Sequence, residues 1–151
     1  MSNVKNTAFI QVGRLLEIRI SVGFRSAAYV TDHFADIDAE LKRIPPSERI
    51  VIAADWRFCR VMSADAGEVL VSNLTHNNPR VERSAIMASP DSPSAVLQFT
   101  RLVRESANPD RRLFTDTDEM ASWLGEVLAA DERRRLAEFL AESVDGFGPA
   151  S

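Results

Sequence analysis

The chain has 151 residues, 45% of them hydrophobic and 26% charged, with a net charge of −4. That allows one domain with a proper core and excludes a disordered or fibrous chain, while the acidic balance removes the electrostatic case for nucleic acid. No apolar run reaches the roughly 18 residues of a membrane span, the first residues lack the apolar stretch of a secretory signal, and one cysteine, Cys59, excludes an internal disulfide framework, so a cytoplasmic protein is expected.

Phe9–Val12 reads as a short strand that Gly13 can bend. Leu16, Ile18, Ile20 and Val22 alternate with Glu17, Arg19 and Ser21, a period of two that predicts a half-buried strand at a sheet edge. Val30, Phe34, Ile37, Leu41 and Ile44 form one apolar stripe at helical spacing, so Ser26–Ile44 is a helix, stopped by Pro45 and Pro46. His33 flanks that stripe and reads as a surface or boundary residue. The row Asp32, Asp36, Glu40 reads as a solvated face rather than a metal site, since it holds no histidine.

Ile50–Ala54 is a continuous apolar run, a strand buried on both faces, and it ends at Asp55. A loop with Trp56, Arg57, Phe58 and Arg60 follows. Ser63 is the N-cap candidate for a helix over 64–77, with Asp65 and Glu68 near its positive end. Arg83–Ser89 is another apolar strand. Ser92-Pro93 opens a helix that Asn108-Pro109 closes. Arg112–Thr115 is the last strand. Asp116 and Glu119 cap a helix carrying Met120, Trp123, Leu124 and Val127. Asp131 starts one more helix, with Leu136, Phe139 and Leu140 as its apolar side, and the tail 143–151 reads as flexible.

The order β-β-α-β-α-β-α-β-α plus a terminal helix predicts an α/β domain with a mixed, mostly parallel sheet flanked by helices. In such sheets, sites gather beyond the carboxyl ends of the strands, which places the Asp55–Gly67 loop and helix start at the centre of interest. Between residues 56 and 115 every basic residue is arginine, and eight of them suit either ion pairing or recognition of a carboxylate or phosphate.

Three stretches carry a family resemblance: RIVIAADWRFCRVMSADAGEVLVS (49–72), RSAIMAS (83–89) and RRLFTDTDEMASWLGEVL (111–128), the last with its Ala121-Ser122-Trp123-Leu124 pattern. Together they resemble the STAS domain superfamily in its SpoIIAA-like, anti-sigma factor antagonist-like branch, over residues 8–130. The helix 131–142 and the tail 143–151 lie outside the resemblance. The family implies a serine phosphorylated at the start of the helix after the central strand. Here that turn is Ser63-Ala64-Asp65-Ala66-Gly67, which departs from the family's Asp-Ser-Ser/Thr-Gly-like turn. Asp65 falls at or beside the acceptor position and supplies a fixed negative charge, leaving Ser63 as N-cap and phosphorylation candidate.

Enzyme chemistry is not visible. The two histidines, His33 and His76, sit within helices away from Ser63 and Cys59, and no nucleotide-binding, nucleophile-elbow or metal-ligand motif occurs. A receiver-domain reading of Asp55 fails because Ser21-Val22-Gly23-Phe24 supplies no acidic pair and no lysine follows Lys42. Asp55 is expected to cap its loop or pair with Arg57 or Arg60.

The expected function is therefore a non-enzymatic regulatory module, without cofactor or metal, that binds a protein partner through Asp55, Arg57, Arg60, Ser63 and Asp65. The alternative is a hydrophobic or anionic ligand held by Trp56 and Phe58 with Arg57 or Arg60 on its charged end, unless one of the two rings simply turns into the core. The apolar side of the terminal helix offers either a homodimer contact or packing on its own domain.

Overall fold

A computed structural model of the chain describes residues 5–146, with side chains through residue 142. One five-stranded sheet runs in the order β1 (Thr7–Ile10), β2 (Leu15–Arg19), β3 (Ile50–Asp55), β4 (Val81–Met87), β5 (Arg111–Phe114). β1 is antiparallel to β2, and every other neighbouring pair is parallel. The fold is mixed, mostly parallel α/β, as the alternation of elements predicts.

Parallel neighbours need crossover helices, and a sheet whose strands lie in chain order places those helices on one face. That face carries α1 (Ala27–Leu41), α2 (Ala64–Asn77) and α3 (Pro93–Glu105), whose Val30, Phe34, Ile37, Leu70, Phe99 and Leu102 meet Ile18, Ile52 and Ile86 of the strands. The opposite face would be bare after β5. α4 (Thr117–Gly125) and α5 (Ala130–Gly146) return across it, setting Met120, Trp123, Leu136, Phe139 and Leu140 on Leu15, Val51, Ala53 and Ala85. The side chains of α5 described here therefore pack on their own domain. Each large apolar residue so buried contributes about 2 kcal/mol. No helix among the described residues is long and apolar enough to cross a membrane.

This second layer corrects the reading of β2. The strand is neither half-buried nor at an edge: β1 takes the edge, and α5 covers the face that carries Glu17 and Arg19. The period of two is real, but it alternates apolar contacts with ion pairs rather than with water. His33 is also more enclosed than its flanking position suggests, at 4% exposure, with its ring 5.5 Å from Phe24 and 5.9 Å from Phe34. Glu40, from the acidic row on α1, accepts hydrogen bonds from the Ile10 backbone N–H and from Arg43.

Gly13 makes the turn between β1 and β2 in the left-handed region, φ +58°. A Cβ there would stand 2.1 Å from Oε2 of Glu132. That carboxylate accepts from the Arg14 backbone N–H at 2.9 Å and from the Ala129 N–H at 2.8 Å, capping the start of α5 while joining it to the β1–β2 turn. The predicted cap at Asp116 is present, with its carboxylate accepting from the N–H groups of Asp118 and Glu119.

Candidate functional site

The carboxyl edge of the sheet is built on β3. Asp55 ends that strand, is buried, and accepts from Arg57 three times: from the backbone N–H at 3.1 Å, from Nε at 2.9 Å and from Nη2 at 3.2 Å. Arg19 of β2 lies 3.5 Å from the same carboxylate. Burial lowers the Arg19 pKa from its ordinary value, against the opposing attraction of Asp55 and Glu142. Arg57 Nη2 also donates to the Leu140 carbonyl at 3.0 Å. Asp55 and Arg57 thus pair as one of the sequence alternatives has it. The pair serves α5 and the loop, with Asp55 lying beneath the surface.

The loop after Asp55 sends alternate rings in opposite directions. Trp56 turns into the core, edge-on to Phe99 at 5.0 Å and to Phe24 at 5.7 Å. Phe58 turns outward and is 48% exposed. Cys59 is buried, and loss of solvation pushes its thiol pKa up to about 12, against a smaller lowering by a backbone hydrogen bond at Phe24. A thiol so held is a poor nucleophile at neutral pH. Arg60 and Val61 are exposed, Val61 at 54%.

The loop's far end is fastened to α3. Gln98 accepts from the Met62 N–H at 2.9 Å and donates to the Met62 carbonyl at 2.7 Å, satisfying both backbone groups of one residue. Ser63 then caps α2 by accepting from the Ala66 N–H at 3.2 Å, and Asp65 stands exposed in the first turn. Gly67 faces α3, where a Cβ would lie 3.4 Å from Leu102, an ordinary packing distance.

The candidate residues therefore divide. Arg57, Phe58, Arg60 and Val61 line an open groove shared with Ser92–Ala95 at the start of α3, with Ser63 and Asp65 exposed on the adjoining helix start. Asp55 and Trp56 lie inside. Trp56 lines a separate interior cavity in which neither Arg57 nor Arg60 takes part. Sequence reasoning missed Gln98, whose place on α3 follows no motif, and Arg19, hidden in the alternation of β2. Among the described residues, no three His, Cys, Asp or Glu side chains gather as a metal ion would require.

No family model matches the chain, and no curated protein matches it. Among solved structures, the chain is similar to an uncharacterised protein of the DUF3478 family with a SpoIIAA-like fold from Shewanella loihica PV-4. The TM-score is 0.57 and the identity 19%, over 82% of this chain and 98% of that one. The fold is SpoIIAA-like, as the three sequence stretches implied.

Proposed function

We propose that the protein is a non-enzymatic regulatory module of the cytoplasm that binds a protein partner at the carboxyl edge of its sheet. One observation carries the reading: Phe58 and Val61, two large apolar side chains, stand exposed on a loop fastened at both ends. Exposing them costs solvation, and holding them in a fixed loop lowers the entropy lost when a partner covers them. Arg60 beside them suits an acidic rim on that partner, and Asp65 and Ser63 set the charge at the adjoining helix start. Asp55 acts from beneath, by fixing Arg57. A phosphate on Ser63 would sit at a helix N-terminus, where added negative charge is favoured.

The test is affinity capture from the source cell with wild type, Arg60→Glu, Val61→Asp and Asp65→Lys, alongside thermal unfolding of each. A polypeptide retained by wild type and lost from all three variants, with melting temperatures unchanged, is the expected result. Retention by all three variants removes this surface as the site.

A further inference from the structure

An open sheet ends in two outermost strands, each with an outer row of backbone groups that no neighbouring strand takes up. At β1 that row is closed at Ile10, whose N–H donates to Glu40 Oε1 at 2.8 Å and whose carbonyl accepts from Arg43 Nη1 at 3.2 Å. β5 is the other outermost strand. The Ser84 N–H donates to the Asp110 carbonyl at 2.9 Å, and the Ala88 N–H donates to the Phe114 carbonyl at 2.8 Å. Alternate residues from 110 to 114 therefore turn their backbone toward β4, and the period of two turns the N–H and C=O of Leu113 outward. Among the described residues, no side chain closes the row at Leu113 as Glu40 and Arg43 close it at Ile10.

The side chains of β5 alternate too. Arg111 turns inward, where its Nη1 donates at 2.9 Å to Asn78 Oδ1 and at 2.9 Å to Ser106 Oγ, and Leu113 packs on the core beneath α3. Arg112 and Phe114 face α4: the Arg112 guanidinium lies 4.7 Å over the Trp123 ring, and the Phe114 ring is 5.7 Å from it. A charge standing off an outer strand keeps other strands away, but Arg112 is folded back onto Trp123. Leu113 and Phe114 are both half-buried, so each face of the open edge offers an apolar side chain. The charges beside this edge are ordered. Arg112 is exposed toward the amino end of the strand, and Asp116, Asp118 and Glu119 are exposed just past its carboxyl end.

We propose that β5 pairs with β5 of a second copy of the chain, antiparallel about a two-fold axis, so that the two sheets become one. The order of charges selects this occupant. An antiparallel copy sets Arg112 of each chain toward the acidic end of the other, and the two-fold axis makes that contact twice. A parallel copy would set arginine beside arginine and acid beside acid. Pairing takes up the outward backbone groups of Leu113 and covers Leu113 and Phe114 on the two faces. A strand of four residues makes a small interface, so the dimer is a weak one. Phe58 and Val61 take no part in it, and it does not depend on the partner surface at the carboxyl edge.

The experiment is sedimentation velocity of the full chain from about 5 to about 500 μM, a range that spans weak association of a small interface. Amide hydrogen exchange at Leu113 is read by NMR at both ends of that range. The mean mass is expected to rise from the 16.8 kDa of one chain toward twice that value, with the Leu113 N–H exchanging severalfold more slowly at the high concentration. Leu113→Pro removes an N–H that the chain's own sheet does not use, and is expected to leave the protein monomeric. Arg112→Glu sets acid against acid and is expected to raise the dimer midpoint by about tenfold or more; it serves if Leu113→Pro does not fold. A mass that stays at one chain throughout, a dimer in which the Leu113 N–H exchanges as fast as in the monomer, or undiminished association of a folded variant overturns the proposal.

Discussion

Arg135 of α5 holds Glu17 of β2 with two parallel hydrogen bonds, Nε and Nη2 each 2.9 Å from a carboxylate oxygen. Glu17 is 3% exposed and 118 residues away in sequence. Arg135 continues to Glu142, Glu142 to Arg19, and Arg19 to Asp55 and so to Arg57. The bonds from Glu17 and Glu142 hold the Arg135 pKa above its ordinary value. Arg19 also lies over the Phe139 ring at 4.1 Å. This chain of charges fastens α5 to the sheet, next to an apolar contact of ordinary kind.

Arg135→Met strands the buried Glu17 carboxylate and is expected to cost about 3–5 kcal/mol in urea unfolding. Glu17→Leu is expected to cost less, since Arg135 keeps its bonds to Glu142. The double variant Glu17→Leu/Arg135→Met is expected to cost clearly less than the two single changes together. Additive losses would show that the pair is not coupled.

Gly13→Ala is expected to lower stability by about 1–3 kcal/mol, through a strained φ and the push against Glu132. Thermal unfolding measures it. An unchanged melting temperature would mean that the turn and the start of α5 shift freely together.

His33 is held neutral: burial lowers its pKa to about 4, and Asp36 raises it only in part. The unfolded chain takes up the proton near pH 6.5 while the folded one does not until about 4. Stability from this residue is therefore present above pH 6.5 and lost as pH falls toward 4, by about 2 kcal/mol between pH 7 and 5. Denaturation of wild type and His33→Gln at both values isolates that loss. Parallel pH dependence in the two would refute it.

Cys59 is expected to react with iodoacetamide about a hundredfold more slowly in the native protein at pH 8 than in urea, since both access and thiolate are suppressed. Rapid labelling of the native protein would show that the loop opens readily.

The order of elements was legible because the stripe of α1 and the apolar run of β3 follow simple periods. The caps at Ser63 and Asp116 were legible for the same local reason. β2 was misread because its second face is buried by a helix more than a hundred residues later, and a period of two records chemistry without recording what covers it. The candidate site was half legible. Trp56 and Phe58 differ in direction by two positions along one loop, which only the packing of Phe99 and Phe24 decides. Gln98 and Arg111 carry no local signal, as each matters through what it meets across the fold.

The ionic fastening of α5 bears on the timing of assembly. All five strands precede α5 in the chain, so on emergence from the ribosome the sheet can form while Glu17, Arg19 and Asp55 still face water. At that stage water solvates charges that later need one another, and the polar atoms among them keep an otherwise apolar surface from being wholly sticky. Closure of the second face then waits for residues 130–142, at a sequence separation that makes it a slow, late step.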